Sequence, residues 1–265
     1  MRRLYLSTQM SDLETKERPD PVEWQAESLR LTAFLSPSAQ IGEQHWWKTL
    51  IGELPDSKIS QPRTGIEQEE GRFKDDKVEG KLILMIQPTR IDWQLVPLDI
   101  PDSGFSITGS FLNSLDSFLS LMLRWLENAP PIQRLAFGAG LFQIVNSSQE
   151  GYKRISNYLS FNVDEDSSDF LYQINRPRKS TTAEIYNLTI NRLSRWNLSL
   201  LASFVSSPTQ PTVYIANLAQ IAVRLDLDIN TTADFSSELP SEQLPKIFRE
   251  LIELGREIAR EGDVK

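Results

Sequence analysis

The sequence predicts an α+β fold built from antiparallel strands and a few amphipathic helices. Two observations carry this. Apolar residues alternate strictly at Leu29, Leu31, Ala33 and Leu35, and again at Ile221, Val223, Leu225, Leu227 and Ile229, the period of a strand with one buried face. Elsewhere they recur at threes and fours, at Phe111, Leu115, Phe118, Met122 and Trp125 and at Leu244, Ile247, Phe248, Leu251, Leu254 and Ile258, the period of a helix with one buried stripe.

Residues 1–24 are polar and broken by Pro19 and Pro21, so they read as a flexible lead-in. The first strand falls at 28–35. A short helix over 41–51 shares Trp47, Leu50 and Ile51 on one face and stops at Gly52 and Pro55. A polar edge strand (64–74), an apolar central strand (80–87) and a returning strand (90–95) follow, then a long helix over 110–128 closed by Pro130 and Pro131.

The order then starts again. A strand over 132–145 contains Gly138 and Gly140, which permit a bulge or bend. Ser147 or Ser148 caps a helix over 149–159, and 170–175 is strand-like. Alternation from 185 to 205 is too long for one unbroken strand in a compact domain, so a bend or turn is expected near 191–194. A strand at 221–229 leads to a final helix over 241–260, capped by Ser241, with Pro245 tolerated in its first turn. Two halves, 25–129 and 130–265, thus read as pseudo-repeats of strand–helix–three antiparallel strands–helix, sharing one core or holding two. Arg90-Ile91-Asp92-Trp93-Gln94-Leu95 is locally similar to Arg192-Leu193-Ser194-Arg195-Trp196-Asn197-Leu198, which favours duplication.

The segment Arg134-Leu135-Ala136-Phe137-Gly138 running to Ile144-Val145-Asn146 after a long helix resembles part of a sporadically distributed family of bacterial α+β proteins. So does Val223-Arg224-Leu225-Asp226-Leu227-Asp228-Ile229 before a terminal helix. The resemblance implies the two-half architecture and carries over no functional residue. Its patchy occurrence points towards mobile-element or phage-defence systems.

Composition narrows the chemistry. The 265 residues carry 36 acidic and 28 basic side chains, and a net charge of −8 works against non-specific attraction to phosphate backbones. Without cysteine there is no disulfide, thiolate nucleophile or thiolate metal site. No apolar run reaches the ~18 residues that span a bilayer, and the opening MRRLYLSTQM has no signal-peptide character. A cytoplasmic protein without a membrane partner is expected. Every histidine-dependent arrangement must use His45, the single histidine, which reads as structural. Gly138-Ala139-Gly140 lacks the rest of a phosphate-binding loop, and no cofactor is implied.

Three sets of carboxylates have the residue types for metal-dependent hydrolysis. Asp56 with Glu79 and Lys81 has the residue types of a PD-(D/E)xK nuclease, although Asp75-Asp76-Lys77 fits equally well. Asp164, Glu165, Asp166 and Asp169 have hard-cation oxygens without EF-hand spacing. Asp226 and Asp228 share a strand face with Arg224, opposite the apolar residues. Each set reads more simply as solvated surface, so no catalytic and no metal residue is assigned.

Binding has better candidates. Arg176, Arg178 and Lys179 form a basic turn that Arg192 and Arg195 can join if their strands pair, with Tyr172 or Trp196 for stacking. Adjacent Trp46 and Trp47 cannot both face one interior, so one of them is expected at an interface or under the lead-in. The sequence therefore reads as a non-enzymatic interaction protein, a subunit of a bacterial assembly, whose partner is another protein with an acidic surface. The alternatives are a nucleic-acid-binding subunit using the basic turn and a carboxylate-only hydrolase.

Overall fold

The computed structural model describes residues 23–42, 44–98, 107–181, 184–201, 204–205, 213–214, 220–235 and 237–263. The lead-in expected at 1–24 lies outside them except for Glu23 and Trp24. In chain order the elements are β1 (Gln25–Leu35), α1 (Trp46–Ile51), β2 (Ser57–Gln61), β3 (Ile66–Lys74), β4 (Glu79–Gln87), β5 (Arg90–Val96), β6 (Gly109–Ser110), α2 (Phe111–Leu126) and β7 (Ile132–Val145). They continue with α3 (Ser148–Tyr158), β8 (Leu171–Asn175), β9 (Arg178–Lys179), β10 (Thr189–Leu201), β11 (Phe204–Val205), β12 (Val213–Tyr214), β13 (Gln220–Thr231) and α4 (Leu244–Glu261). The protein is α+β, and no helix among the described residues is long and apolar enough to cross a membrane.

One antiparallel sheet organises the molecule, in the order β2-β3-β4-β5-β1-β7-β13-β10-β8. β6 lies beside β1 and β9 beside β10, while β11 and β12 pair with each other. The first five strands of this order precede residue 130 and the last four follow it. β1 and β7 pair along their lengths at the centre, so the sheet is continuous across the two halves. A single cluster of buried side chains runs under it.

The helices keep to one face. α2 packs on β1, α4 on β7 and β13, and α3 on β13, β10 and β7, while α1 leans on α2. The alternation explains the arrangement: Leu29, Leu31 and Ala33 of β1, Phe137 and Ala139 of β7, and Leu225, Leu227 and Ile229 of β13 are register neighbours on the helix side. Gly255 of α4 marks a close approach, since a β-carbon there would lie 2.9 Å from a ring carbon of Phe137.

Several expectations are corrected. β10 runs unbroken from Thr189 to Leu201 with no turn at 191–194, because it pairs residue for residue with β13 from Ile190 to Leu201. The expected edge strand, β3, is one strand in from the edge, with β2 outside it. Between α1 and α2 there are therefore not three strands but β2, β3, β4 and β5, followed by the two-residue β6. The sheet irregularity near Gly140 lies in β1, where the register shifts between Ala26 and Ser28. The similar segments at 90–95 and 192–198 fall on strands in different places: β5 adjoins β1, whereas β13 separates β10 from β7.

Caps follow the sequence except at the last helix. Ser110 and Ser147 accept from the amides of Asn113 and Glu150, and Glu150 accepts in return from Asn146 N, much like a capping box. Ser241 instead opens a 3₁₀ turn, and α4 begins at Leu244 with Pro245 in its first turn and no side-chain cap.

Candidate functional site

The basic turn is occupied by the protein itself. Arg176 donates through Nε and Nη2 to Asp263, whose Oδ2 also accepts from Tyr172 Oη at 2.7 Å. Arg178 forms a two-pronged pair with Glu257 at 2.9 and 3.1 Å. Arg192 is 2% exposed, with Nη2 3.7 Å from Glu257 Oε1. Its Nε and Nη2 find no hydrogen-bond acceptor among the described residues. Burial, and then the nearby Arg178 charge, lower its pKa, while Glu257 and Asp263 pull the other way. On the same side Glu250 accepts from Ser180 Oγ at 2.5 Å and Thr181 N at 2.8 Å. These contacts latch α4 and Asp263 just beyond it to the β8–β9–β10 edge, so Arg176, Arg178 and Arg192 do not form an open anion site.

Parity along β10 separates the remaining candidates. Arg192 shares the helix side with Ile190, Ser194 and Trp196, whereas Arg195, three residues on, is exposed on the other face. Lys179 pairs with Thr189 and is exposed on that face too. It lies six residues along β10 from Arg195, roughly 20 Å at strand rise. Trp196 is fully buried and stacked on Tyr158, with ring centroids 5.2 Å apart, so it offers no free ring. Tyr172 is held by Asp263 and meets Phe161 edge-on.

The expectation of an exposed tryptophan fails, while packing under the lead-in concerns residues outside the described ones. Both Trp46 and Trp47 are buried, at 9% and 2% exposure. α1 is a short wedge rather than a long helix with a solvent face: Trp46 meets Trp125 edge-on at 5.9 Å, and Trp47 stacks on Trp93 at 6.1 Å. Trp24, placed by the sequence in the lead-in, is buried between Tyr158 and Trp196, and its indole donates to Ala259 O at 2.7 Å.

The carboxylates are held locally. Asp56 accepts from Arg72 N, and Glu79 pairs with the Arg72 and Lys74 side chains. Asp164 accepts from Asp166 N within its own turn. No group of three or more histidine or acidic side chains placed to hold a metal ion occurs among the described residues. His45 is exposed at the start of α1 and lines a cavity of about 710 Å³ with Lys58, Glu67 and Gln87. A hydrogen bond to the buried Glu69 raises the Lys58 pKa, opposed by its own desolvation.

The face without helices carries an open polar trough of about 390 Å³ across the centre of the sheet. Its lining includes Ser28 and Arg30 of β1, Gln94 of β5, Gly138 and Gly140 of β7, Asp226 and Asp228 of β13, Arg195 of β10 and Gln173 of β8. Glycine weakens a strand interior and often marks close approach of another group. A β-carbon on Gly138 would lie 3.3 Å from Arg30 Nη2, so the Arg30 guanidinium lies down over β7. On Gly140 it would meet Glu27, Ser28 and Arg224 at 3.1–3.3 Å.

Much of the charge around the trough is neutralised along the strands. Arg224 pairs with Asp226 at 2.9 Å and Glu27 at 2.6 Å. Arg90 pairs with Asp92 at 2.7 Å, and Asp92 also accepts from Thr32 at 2.6 Å. Asp228 accepts from the Asn230 amide at 2.9 Å. Arg30 and Arg195 have no carboxylate within ion-pair reach among the described residues. Sequence reasoning singled out Arg195, Arg224, Asp226 and Asp228 but missed Arg30. The signal was present: Arg30 sits out of phase with Leu29, Leu31 and Ala33.

No protein-family model matches the chain, and no curated protein matches it in sequence.

Proposed function

We propose that this protein is a non-enzymatic interaction module, a subunit of an assembly, that holds a protein partner on the uncovered face of its sheet. The observation that carries the reading is the trough: a glycine-floored depression at the middle of a nine-strand face, ringed by polar side chains from five strands. Groups held by their own strand neighbours cost little to reorganise on binding, which favours recognition by a preformed surface. The resemblance to sporadically distributed bacterial proteins supports an assembly of the mobile-element or defence kind. We read the two halves as pseudo-repeats, because β1 and β7, the first strands of each, meet at the centre and are each followed by one helix before the outer strands.

A protein rather than a nucleic acid fits the charge. The chain is net −8, and two arginines of the basic turn, Arg176 and Arg178, are paired with Asp263 and Glu257. The test is a cross-linked pull-down from nuclease-treated lysate, run in parallel with wild type and with an Arg30→Glu/Arg195→Glu variant. A stoichiometric protein retained by the wild type and lost by the variant supports the module. A partner held equally by both, or protected nucleic acid in its place, overturns it.

A further inference from the structure

We infer that the trough recognises an extended segment of the partner carrying two carboxylates four residues apart with a cation midway between them, a Glu-x-Lys-x-Glu pattern. This rests on the interaction-module reading and names the chemistry of its partner.

The argument begins with charge order across the face. Going from β1 through β7 and β13 to β10, the side chains run Arg30, the Gly138 and Gly140 floor, Asp226 and Asp228, and Arg195. Arg224 is shared between Asp226 and Glu27, and among the described residues Asp228 is met only by the Asn230 amide. The unneutralised order is therefore plus, minus, plus. Each wall arginine has a glutamine as its cross-strand partner, Gln94 opposite Arg30 and Gln173 opposite Arg195. Both walls can therefore grip a carboxylate with a guanidinium and an amide together.

Spacing sets the register. Arg30 and Arg195 are three strand intervals apart, about 14 Å at 4.7–4.9 Å per interval. They are also offset by two residues, because Arg30 aligns through Gly138 and Asp228 with Leu193. The Cα separation is thus about 16 Å, and both side chains are long enough to lean inwards. An extended segment places residues i, i+2 and i+4 on one face, with i and i+4 about 13–14 Å apart. Its i and i+4 carboxylates reach the two arginines while i+2 stands over Asp228. Adjacent acids would point to opposite faces and reach only one wall. With no β-carbon at 138 or 140, Arg30 lies over Gly138 and Glu27, Ser28 and Arg224 close over Gly140, so the segment rests on these side chains.

The experiment is a titration by NMR, observing the arginine side-chain N–H groups, with three peptides taken to their solubility limit: Ser-Glu-Ser-Lys-Ser-Glu-Ser, its charge inverse Ser-Lys-Ser-Glu-Ser-Lys-Ser, and the contiguous Ser-Ser-Glu-Lys-Glu-Ser-Ser. Saturable shifts of Arg30 and Arg195 with the first, at least tenfold tighter than with the other two and weakened by salt, are expected. Arg30→Glu/Arg195→Glu should reverse the preference towards the inverse peptide, an effect that lost stability cannot mimic. Arg30→Gln/Arg195→Gln serves as the neutral control. Equal binding of all three peptides, no binding, or a preference that survives the charge swap overturns the inference. If the pull-down still yields a partner dependent on this face, the module stands and only its proposed chemistry falls. If both fail, the module falls as well.

Discussion

Arg192 and Arg195 are three residues apart on one strand and lead opposite lives. Arg192 points under α4, is 2% exposed and sits among Arg178, Glu257 and Asp263. Arg195 points to the bare face with no internal carboxylate partner among the described residues. The difference is parity: an odd spacing along β10 sends one guanidinium into the latch and the other to solvent. Basic residues that cluster in sequence are thus sorted by the pleat into structural and available sets.

That contrast can be broken first on the latched side. Arg192→Ala leaves a cavity and removes a charge from a balanced cluster, and is expected to cost about 3 kcal/mol of stability in urea unfolding. Arg192→Met sharpens the point. Two of its guanidinium nitrogens already lack acceptors, so a side chain of similar volume should recover much of that loss.

Next comes Asp263→Asn, expected to cost about 2 kcal/mol at neutral pH, the range for a charged hydrogen-bonding partner. The hydrogen bond from Arg176 holds the Asp263 pKa below its ordinary 3.8, with burial working against it and Tyr172 adding to it. A carboxylate with a lowered folded-state pKa contributes its full stability above the unfolded value and loses it as pH falls through the folded one. Thermal melts should therefore show the gap between wild type and variant constant near neutrality and closing below about pH 3.8.

Arg178→Ala should cost less, on the order of 1 kcal/mol, because its pair with Glu257 is partly exposed and screened. Raising the salt concentration should shrink that difference further. The smallest effect belongs to the open face, where Arg195→Gln is expected to change stability by less than about 0.5 kcal/mol while weakening partner capture. A large stability loss at Arg195 would abolish the distinction between the two sides of the strand.

Local patterning made most of the fold legible. The alternation at 221–229 and the three-four spacings at 111–125 and 244–258 each became the expected element, because one face of each is buried against another. Length misled at β10: thirteen residues can stay extended when a twelve-residue neighbour pairs with them throughout. Trp46 and Trp47 misled because a helix of six residues, wedged between α2 and the sheet, can bury two adjacent indoles in different directions. In the trough, Asp226 and Asp228 were legible from alternation alone. The latch was not, since Glu257 and Asp263 lie 79 and 87 residues from their arginine partners, and only the sheet order brings them together.

The hydrogen bond from Trp24 to Ala259 spans 235 positions and closes the first described strand against the last helix. On a ribosome the first partner is made long before the second. Until the final turns of α4 emerge, the β1 end of the central pair lacks its clasp. Native structure that depends on such distant partners forms slowly. A nascent chain stalled before residue 244 should therefore expose the apolar undersides of β7 and β13, and chaperone engagement should end abruptly once α4 is released.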